Sequence, residues 1–357
     1  MAGLTASLGL GIYSSLAKAG NGQSRAMVKA FTDAKLADAV SVAVLNPGIV
    51  KFYDSGIASR STLARPTRNT VYEIGSVTKT FTSLLLAHAI SQGRAKLDDP
   101  VTRFFPRLRN LEQSGETVTL RHLVTTTSAL PDNPPGIESI LAKGFLPDTP
   151  ARLTAFAAAY SDENFLSDLE QAELVGKPGE KPGHSNMAAH LVGLLAETIF
   201  QAPYDALLAR YVERPFGMAS GLPAAATKSI MATGYDGTGR AMPTLDSRSD
   251  LLSGGLRYSA ADMARYVKQQ IAAAEPAIRL SHVPLFESTE RSAIGFSWQI
   301  SRNTHGSRLL SHSGSTLGFS SFVAFSPDDG SGIVVLANRF AREREIETLA
   351  QDLRNVR

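Results

Sequence analysis

The sequence predicts an α/β fold of the α+β type. In this fold, strands from both chain ends form one antiparallel sheet, and a large helical half is inserted between them. Near the amino end two strands meet at Asn46-Pro47-Gly48, and "IGFSWQI", "SRLLSHSG", "GFSSFVAF" and "SGIVVLAN" read as strands after about residue 285. From Ser76 to about residue 285 the pattern is mostly helical, with Pro/Gly-rich loops. Strands joined by short turns pair antiparallel, so a cleft between sheet and helices is expected to hold the site.

Composition excludes several classes of protein. With 43% hydrophobic and 19% charged residues in 357, the chain is neither disordered nor a coiled coil. A net charge of +3 without a basic block predicts no nucleic-acid partner. No segment approaches the roughly 20 apolar residues of a membrane span. The absence of cysteine excludes disulfides, thiolate metal sites and cysteine catalysis.

The chain divides into a short amino-terminal segment and one domain. Residues 1–23 are small and apolar but have no Lys or Arg before Lys18, so they are interpreted as a leader remnant or an N-terminal arm. On this basis we expect a periplasmic or secreted protein, with a cytoplasmic one as the alternative. Residues 24–357 form the domain, with a sheet part at 24–75 and 290–357 and a helical part at 76–289. A helical pattern over 24–37 precedes the first strand, and a final helix is predicted from about Arg342 to Leu353.

The stretch "IGSVTKTF" places Ser76 and Lys79 one helical turn apart on the same face. The run "FTSLLLAHAISQG" that follows is apolar on nearly every side, which is typical of a buried helix, and Gly93 is a plausible stop. Burial favours the neutral form of a lysine, and the free amine can act as a base towards the hydroxyl. The spacing alone is weak, because Ser15 and Lys18 repeat it.

Two later stretches also carry candidate chemistry. "KPGHSNMAAHLVGLLAE" places His184, Ser185 and Asn186 directly before a helical run, and "LLSHSGSTLGFSSF" places His312-Ser313-Gly314 at the end of a strand. Each has a structural explanation, the first as a helix cap and the second as a turn. Together with Ser76 and Lys79 they occur at element boundaries that can face one cleft, which favours a shared site.

These motifs resemble the serine β-lactamase and penicillin-binding protein superfamily, in particular the branch of class C β-lactamases, D-amino peptidases and related esterases. That superfamily carries Ser-x-x-Lys, then Tyr-x-Asn, then Lys-Thr-Gly or His-x-Gly. The stretches "TTTSALP", "ERPFGMAS", "SGGLRYSAADMARY" and "GFSW" also match, and the similarity spans about residues 30 to 355. It implies a β-lactamase/transpeptidase-like fold and an acyl-serine site without cofactor or metal.

The resemblance also implies roles for the catalytic residues. Ser76 would attack an acyl carbon and form an acyl-enzyme, with neutral Lys79 as the base. His184 would return the proton to the leaving group and later activate water. Asn186 would hydrogen-bond Lys79 and the substrate amide, and the backbone N–H groups of Ser76 and Ser315 would form the oxyanion hole.

The third motif, His312, Ser313 and Gly314, would bind substrate along the strand edge. His312 would meet a substrate carboxylate less firmly than a lysine would. No metal is implied, since the remaining histidines lack a paired ligand spacing and are expected to be structural or solvated. They are His88, His122, His190, His282 and His305.

His184 departs from the superfamily, which has tyrosine there. A phenol has an unperturbed pKa near ~10 and an imidazole one near ~6.5, so the imidazole is already a base at neutral pH. Three interpretations stay open: a working Ser/Lys/His variant, a weakened enzyme, or a site substituted on purpose.

The functional prediction is a serine hydrolase that acts on β-lactams, D-amino acid peptides or esters. The alternatives are an acyltransferase of the same fold and a penicillin-binding scaffold that acylates without turnover. The expected partner is a small-molecule or peptide substrate, and the sequence does not determine the oligomeric state. The choice among lactam, peptide and ester depends on loops around 131–150 and 240–256.

Overall fold

The computed structural model describes residues 20–223 and 231–356. The leader remnant or arm predicted for residues 1–23 lies outside the described residues as far as residue 19. Gly20 begins the first helix, α1 (Gly20–Asp33).

Eight antiparallel strands from both ends of the chain form the main sheet, in the order β2-β1-β12-β11-β10-β9-β8-β7. The first and last strands pair directly, from Val40 opposite Ala337 to Leu45 opposite Gly332. This confirms the predicted fold class. The strands are β1 (Ala39–Asn46), β2 (Ile49–Gly56), β3 (Val71–Glu73), β4 (Glu112–Gln113), β5 (Glu116–Thr117), β6 (Arg257–Ser259), β7 (Phe286–Thr289), β8 (Ser292–Gly295), β9 (Trp298–Arg302), β10 (Arg308–Ser315), β11 (Ser320–Ser326) and β12 (Ser331–Ala337).

The two shortest pairings lie outside the main sheet. β3 pairs with β6, and β4 pairs with β5. β7 belongs to the main sheet and begins four residues before residue 290. The division into parts at 75/76 and 289/290 stays a prediction.

Helices fill the long middle segment and close the chain. They are α2 (Thr78–Ser91), α3 (Leu120–Val124), α4 (Pro135–Leu141), α5 (Thr149–Ala159), α6 (Asp162–Gln171), α7 (Asn186–Phe200), α8 (Tyr204–Leu208), α9 (Arg214–Phe216), α10 (Arg248–Ser253), α11 (Ala260–Ala272), α12 (Pro276–Ser281) and α13 (Glu343–Arg354). Short 3₁₀ turns occur at Gly75–Val77 and Val101–Arg103, and a π-helical turn at Ala209–Glu213.

The sheet separates two apolar cores. On one face α1 and α13 pack together, burying Phe31 and Ile346 among the side chains of β1, β11 and β12. On the other face α11 covers the same strands, and α2 packs against α7 and α12. α2 is buried from Thr78 to Ala89, which accounts for its apolar residues on every side. A reactive side chain at the start of α2 is therefore held by a rigid interior.

The stretch "IGFSWQI" is not the single strand that its composition predicts. β8 ends at Gly295 and β9 begins at Trp298, opposite it in the ladder. The two residues between them, Phe296 and Ser297, have φ of 47° and 68°. Two-residue hairpins favour positive φ at both central positions, usually with Asn or Gly there, and neither occurs here. Phe296 is fully buried, so core packing holds this turn in place of a turn-forming residue.

No helix in the described part of the chain combines the length and apolarity that crossing a membrane requires.

Candidate active site

Ser76 lies in the 3₁₀ turn that leads into α2, one turn earlier than the α-helical position predicted for it. Gly75 beside it has φ of +54°, and a Cβ there would lie 2.4 Å from the backbone N of Ser315. Only glycine accommodates both the positive φ and this approach. The turn is thus pressed against the end of β10.

Lys79 is the centre of the polar site. Its Nζ donates to Ser76 Oγ at 2.7 Å, to Asn186 Oδ1 at 2.9 Å and to the Ser253 carbonyl at 3.2 Å. The side chain is 6% exposed. Burial lowers the pKa of Lys79 to about 8, although the nearby Asp132 carboxylate acts in the opposite direction. About one lysine in ten is then neutral at pH 7 and able to accept a proton.

The second motif is anchored by the cap of α7. Ser185 Oγ accepts from the Ala188 N–H at 2.9 Å and donates to the Pro131 carbonyl at 2.7 Å. Asn186 Nδ2 donates to Asn133 Oδ1 at 3.0 Å. The side-chain amide of Asn186 is therefore held by two hydrogen bonds, with Nδ2 bonded to Asn133 and Oδ1 to Lys79.

His184 lies in the same cleft but is held by a different partner. Its Nδ1 is 2.8 Å from Asp132 Oδ1, and 57% of its side chain is exposed. Among the described residues no hydrogen bond joins His184 to Ser76 or Lys79. When Nδ1–H donates to a carboxylate, the neutral ring keeps Nε2 as a proton acceptor. This pairing orients the imidazole as a base.

The third motif forms the carboxyl end of β10, against the turn that carries Ser76. A Cβ on Gly314 would lie 2.2 Å from the Ile74 carbonyl oxygen and 2.8 Å from the Ser76 N, so the strand could not pack this closely with any other residue. His312 Nδ1 donates to the Ser313 carbonyl at 2.5 Å. Burial lowers the pKa of His312 to about 4, and the Lys79 charge adds to this effect. At neutral pH His312 is therefore an uncharged lining group.

Two loop residues essential to this arrangement were not predicted. Asp132 binds His184 and also accepts from the Asn186 N–H at 3.2 Å, while its charge acts on Lys79. Asn133 holds the Asn186 amide. Both directly follow the stretch "TTTSALP", but their segment "PDNPPG" has the composition of an ordinary loop.

Glu73 is a third residue that the motifs do not indicate. It is fully buried, and burial raises the pKa of its carboxyl to about 7. Its Oε1 accepts from the Leu245 N–H at 2.7 Å and faces the Arg257 guanidinium at 3.4 Å. Glu73 thereby ties the strand before the reactive turn to the loop around residue 245, which borders the cleft.

A cleft of about 730 Å³ is lined by residues of all three motifs. Its polar end is lined by Ser76, Lys79, His184, Asn186 and residues 312–316. The same cavity is also lined by side chains of α4, α5, α6 and the residue that follows α5, among them Ile137, Leu153, Ala157, Tyr160 and Phe165. Every residue predicted for the site therefore borders one cavity.

The site thus combines a buried lysine that donates to a serine just before a core helix with the end of an antiparallel strand, as the three sequence motifs predict. The sequence model of the Beta-lactamase family matches residues 25–356. The chain therefore belongs to the Beta-lactamase family, within the serine β-lactamase and penicillin-binding protein superfamily that its motifs predicted.

Three known proteins that resemble this chain are consistent with membership of this family. The chain is 25% identical over 338 residues to a Beta-lactamase of Pseudomonas fluorescens, covering 84% of this chain and 88% of that protein. It is 28% identical over 292 residues to Protein flp of Staphylococcus aureus, covering 77% of this chain but 54% of that protein, about half its length. The octameric penicillin-binding protein homologue from Pyrococcus abyssi superposes with a TM-score of 0.70 at 27% identity, covering 86% of this chain and 71% of that one.

Proposed function

We propose that this protein is a serine hydrolase that works through an acyl-enzyme on Ser76. The observation that carries the proposal is the 2.7 Å contact from Lys79 Nζ to Ser76 Oγ, made by a buried amine whose pKa is lowered to about 8. A neutral amine at this distance can take the hydroxyl proton as the oxygen attacks an acyl carbon. The substrate classes that fit are β-lactams, D-amino acid peptides and esters.

The roles of the neighbouring groups follow from their contacts. The backbone N–H groups of Ser76 and Ser315 lie on the turn and strand that Gly75 and Gly314 bring together, and we assign them to the developing oxyanion. Asn186 fixes the Lys79 amine through its Oδ1. Ser313 and His312 line the strand edge against which the substrate backbone would lie.

His184 would take the part that tyrosine has in the superfamily. Its imidazole is oriented by a carboxylate, as a general base requires, and its outer edge is open to the cleft. We therefore propose a working Ser/Lys/His site, in which His184 Nε2 takes up the serine proton from Lys79, returns it to the leaving group, and then activates water for deacylation. Asp132 is its positioning residue.

The function is tested by burst kinetics with nitrocefin, a D-alanyl-D-alanine peptide and p-nitrophenyl esters. Sustained turnover of one of these substrates supports the hydrolase. A single stoichiometric burst would support the scaffold that acylates and stalls, and faster product formation with an added alcohol or amine would support the acyltransferase. No burst and no turnover with any of them would contradict the proposal.

We expect activity to depend on pH through Lys79. kcat/KM should rise with pH and level off above about 8, because only the neutral amine accepts the Ser76 proton. Asp132 raises the pKa of Lys79, so Asp132→Asn should move this rise to lower pH. The measurement is kcat/KM from pH 5 to 10.

Asp148→Asn is the matched control, since Asp148 is exposed and does not border the cleft. Its pH profile should equal that of the unaltered protein. If Asp132→Asn left the rise of kcat/KM at the same pH, or moved it to higher pH, the electrostatic role of Asp132 would be contradicted.

His184 is tested by two substitutions. His184→Ala should lower kcat by roughly 10²- to 10⁴-fold, the usual contribution of a general acid–base group. His184→Tyr restores the superfamily residue, but it should not exceed the unaltered protein, because the contact with Asp132 is built for an imidazole. The exposed His305 provides the control, and His305→Ala should leave kcat unchanged.

The alternatives give opposite results in the same assay. A gain of about 10²-fold or more in His184→Tyr would indicate a weakened or substituted site. An unchanged kcat in His184→Ala would mean that the residue has only a structural role, through its contact with Asp132.

A further inference from the structure

We infer that this site selects uncharged acyl compounds with an apolar acyl group, such as neutral esters, and discriminates against substrates with a carboxylate beside the scissile bond. This inference rests on the proposed acyl-enzyme function and names the substrate class within it. Two independent observations support it, the charges along the cleft and the apolar end of the cavity.

The first observation is the lack of a free cation. Of the lysines and arginines in the described ranges 20–223 and 231–356, Lys79 alone borders the cleft. Its amine already donates to Ser76, Asn186 and the Ser253 carbonyl. An ammonium has three N–H donors, so none is left for a substrate carboxylate.

The imidazoles do not replace a cation. His312, on the strand edge where a substrate carboxylate would lie, is uncharged at neutral pH because burial depresses its pKa to about 4. His190 is buried and bound to Asp162 at 3.3 Å. His184, the third imidazole of the lining, already faces the carboxylate of Asp132 at 2.8 Å.

The remaining charges of the cleft are negative. Glu343 and Asp250 both border it, although burial raises the pKa of Asp250, and Asp132 contacts His184. Asp250 is tied to the cap of α10 by the Ser247 N–H at 3.1 Å, whereas Glu343 begins α13 with no ion pair to a described residue. A carboxylate brought into this cleft would lose water, gain no hydrogen bond from a cation and meet like charges, which costs free energy.

The second observation is the apolar end of the cavity. Ile137 and Leu153 are only partly buried, and they face the cavity together with Ala157 and the rings of Tyr160 and Phe165. We call this set of five side chains the apolar lobe. The apolar lobe and Ser76 line the same cavity of about 730 Å³, and we assign the lobe to an acyl chain attached at Ser76. Burial of an acyl chain there would favour longer acyl groups over acetyl.

The reaction on such a substrate balances without a further reagent. Ser76 Oγ bonds to the acyl carbon and loses its proton to Lys79. The carbon–oxygen bond to the leaving alcohol then breaks as that oxygen takes up the same proton, returned from Lys79 by His184. Water then adds to the acyl-enzyme and releases the carboxylic acid and free Ser76. The carboxylate product is repelled by the same charges, which assists its release.

The test compares phenyl hexanoate with its meta-carboxyphenyl counterpart, each rate divided by the rate of spontaneous alkaline hydrolysis. We expect kcat/KM to be at least about 10-fold lower for the ester with the carboxylate. In the p-nitrophenyl series from acetate to hexanoate, kcat/KM should rise about fourfold per methylene until the lobe is filled. Equal or faster cleavage of the carboxylate ester, or a flat chain-length series, would overturn the inference and leave the hydrolase intact.

Two variants connect these effects to the structure. Glu343→Gln should reduce the discrimination against the carboxylate ester several-fold, whereas Glu347→Gln, the same change of charge on α13 outside the cleft, should not alter it. Leu153→Trp should fill the lobe and lower the hexanoate to acetate ratio, with circular dichroism reporting that the protein is folded. Discrimination and chain-length ratios that neither variant changes would refute the assignment to these residues. If nitrocefin or the peptide is turned over but no ester acylates Ser76, this inference fails and the proposed function stands. If none of the three substrate types acylates Ser76, both fail.

Discussion

Ser76→Ala is expected to abolish turnover, lowering kcat by roughly 10³- to 10⁶-fold, as removal of a nucleophile does in comparable enzymes. The reason is local, because Ser76 Oγ is the hydroxyl that the buried Lys79 amine contacts at 2.7 Å. The measurement is steady-state hydrolysis of whichever substrate the burst assay identifies. The fold should be unaffected, since the lost group is one partly exposed hydroxyl at the edge of a cleft.

A neighbouring hydroxyl provides the control. Ser83 also borders the cleft, but its Oγ bonds to Ser297 Oγ at 2.8 Å, and no lysine amine of the described residues bonds to it. Ser83→Ala should therefore keep most of the activity. A fluorophosphonate should add a single label on the peptide that contains Ser76, and none in Ser76→Ala. A label on another serine would contradict the assignment of the nucleophile.

Ending the chain after residue 335 should prevent folding. The cut removes the last residues of β12, an inner strand of the sheet between β1 and β11, together with α13. It takes away four large buried side chains, Leu336, Ile346, Leu349 and Leu353. At about 1.5–3 kcal/mol each, their loss approaches the whole stability of a typical domain, about 5–15 kcal/mol.

Circular dichroism and thermal melting provide the test. A chain that ends after Arg354 keeps β12 and all of α13, so it should melt cooperatively at nearly the temperature of the full chain. The chain that ends after residue 335 should show no cooperative transition or should be insoluble. A soluble form that melts cooperatively and keeps activity would refute this view of the sheet.

The fold class was predictable because its signals are local. β1 and β2 show the apolar runs and the Asn46-Pro47-Gly48 turn of a hairpin, and α2 is apolar on all sides as a buried helix must be. The hairpin at Phe296 and Ser297 was not predictable, since packing of a buried ring and not a turn residue selects that conformation.

Only those residues of the candidate site that belong to the three sequence motifs were predictable. Ser76, Lys79 and Asn186 stand in recognisable spacings, and the structure brings them into contact. Asp132 acts across the cleft on residues more than 50 positions away, so no spacing along the chain indicates its role. The uncharged state of His312 likewise results from burial, which a single motif does not show.

The pairing of β1 with β12 has a consequence for how the chain is made. The Ala39 N–H donates to Asn338 Oδ1, a residue 299 positions later. While the chain emerges from the ribosome, β1 lacks this neighbour until almost all of the described residues have been synthesised. Seven of the eight residues of β1 are buried in the folded protein. During synthesis one edge of this apolar strand therefore stays unpaired and exposed to solvent. We expect this long-range closure to be a slow step, and the nascent chain to depend on chaperones that cover the first hairpin.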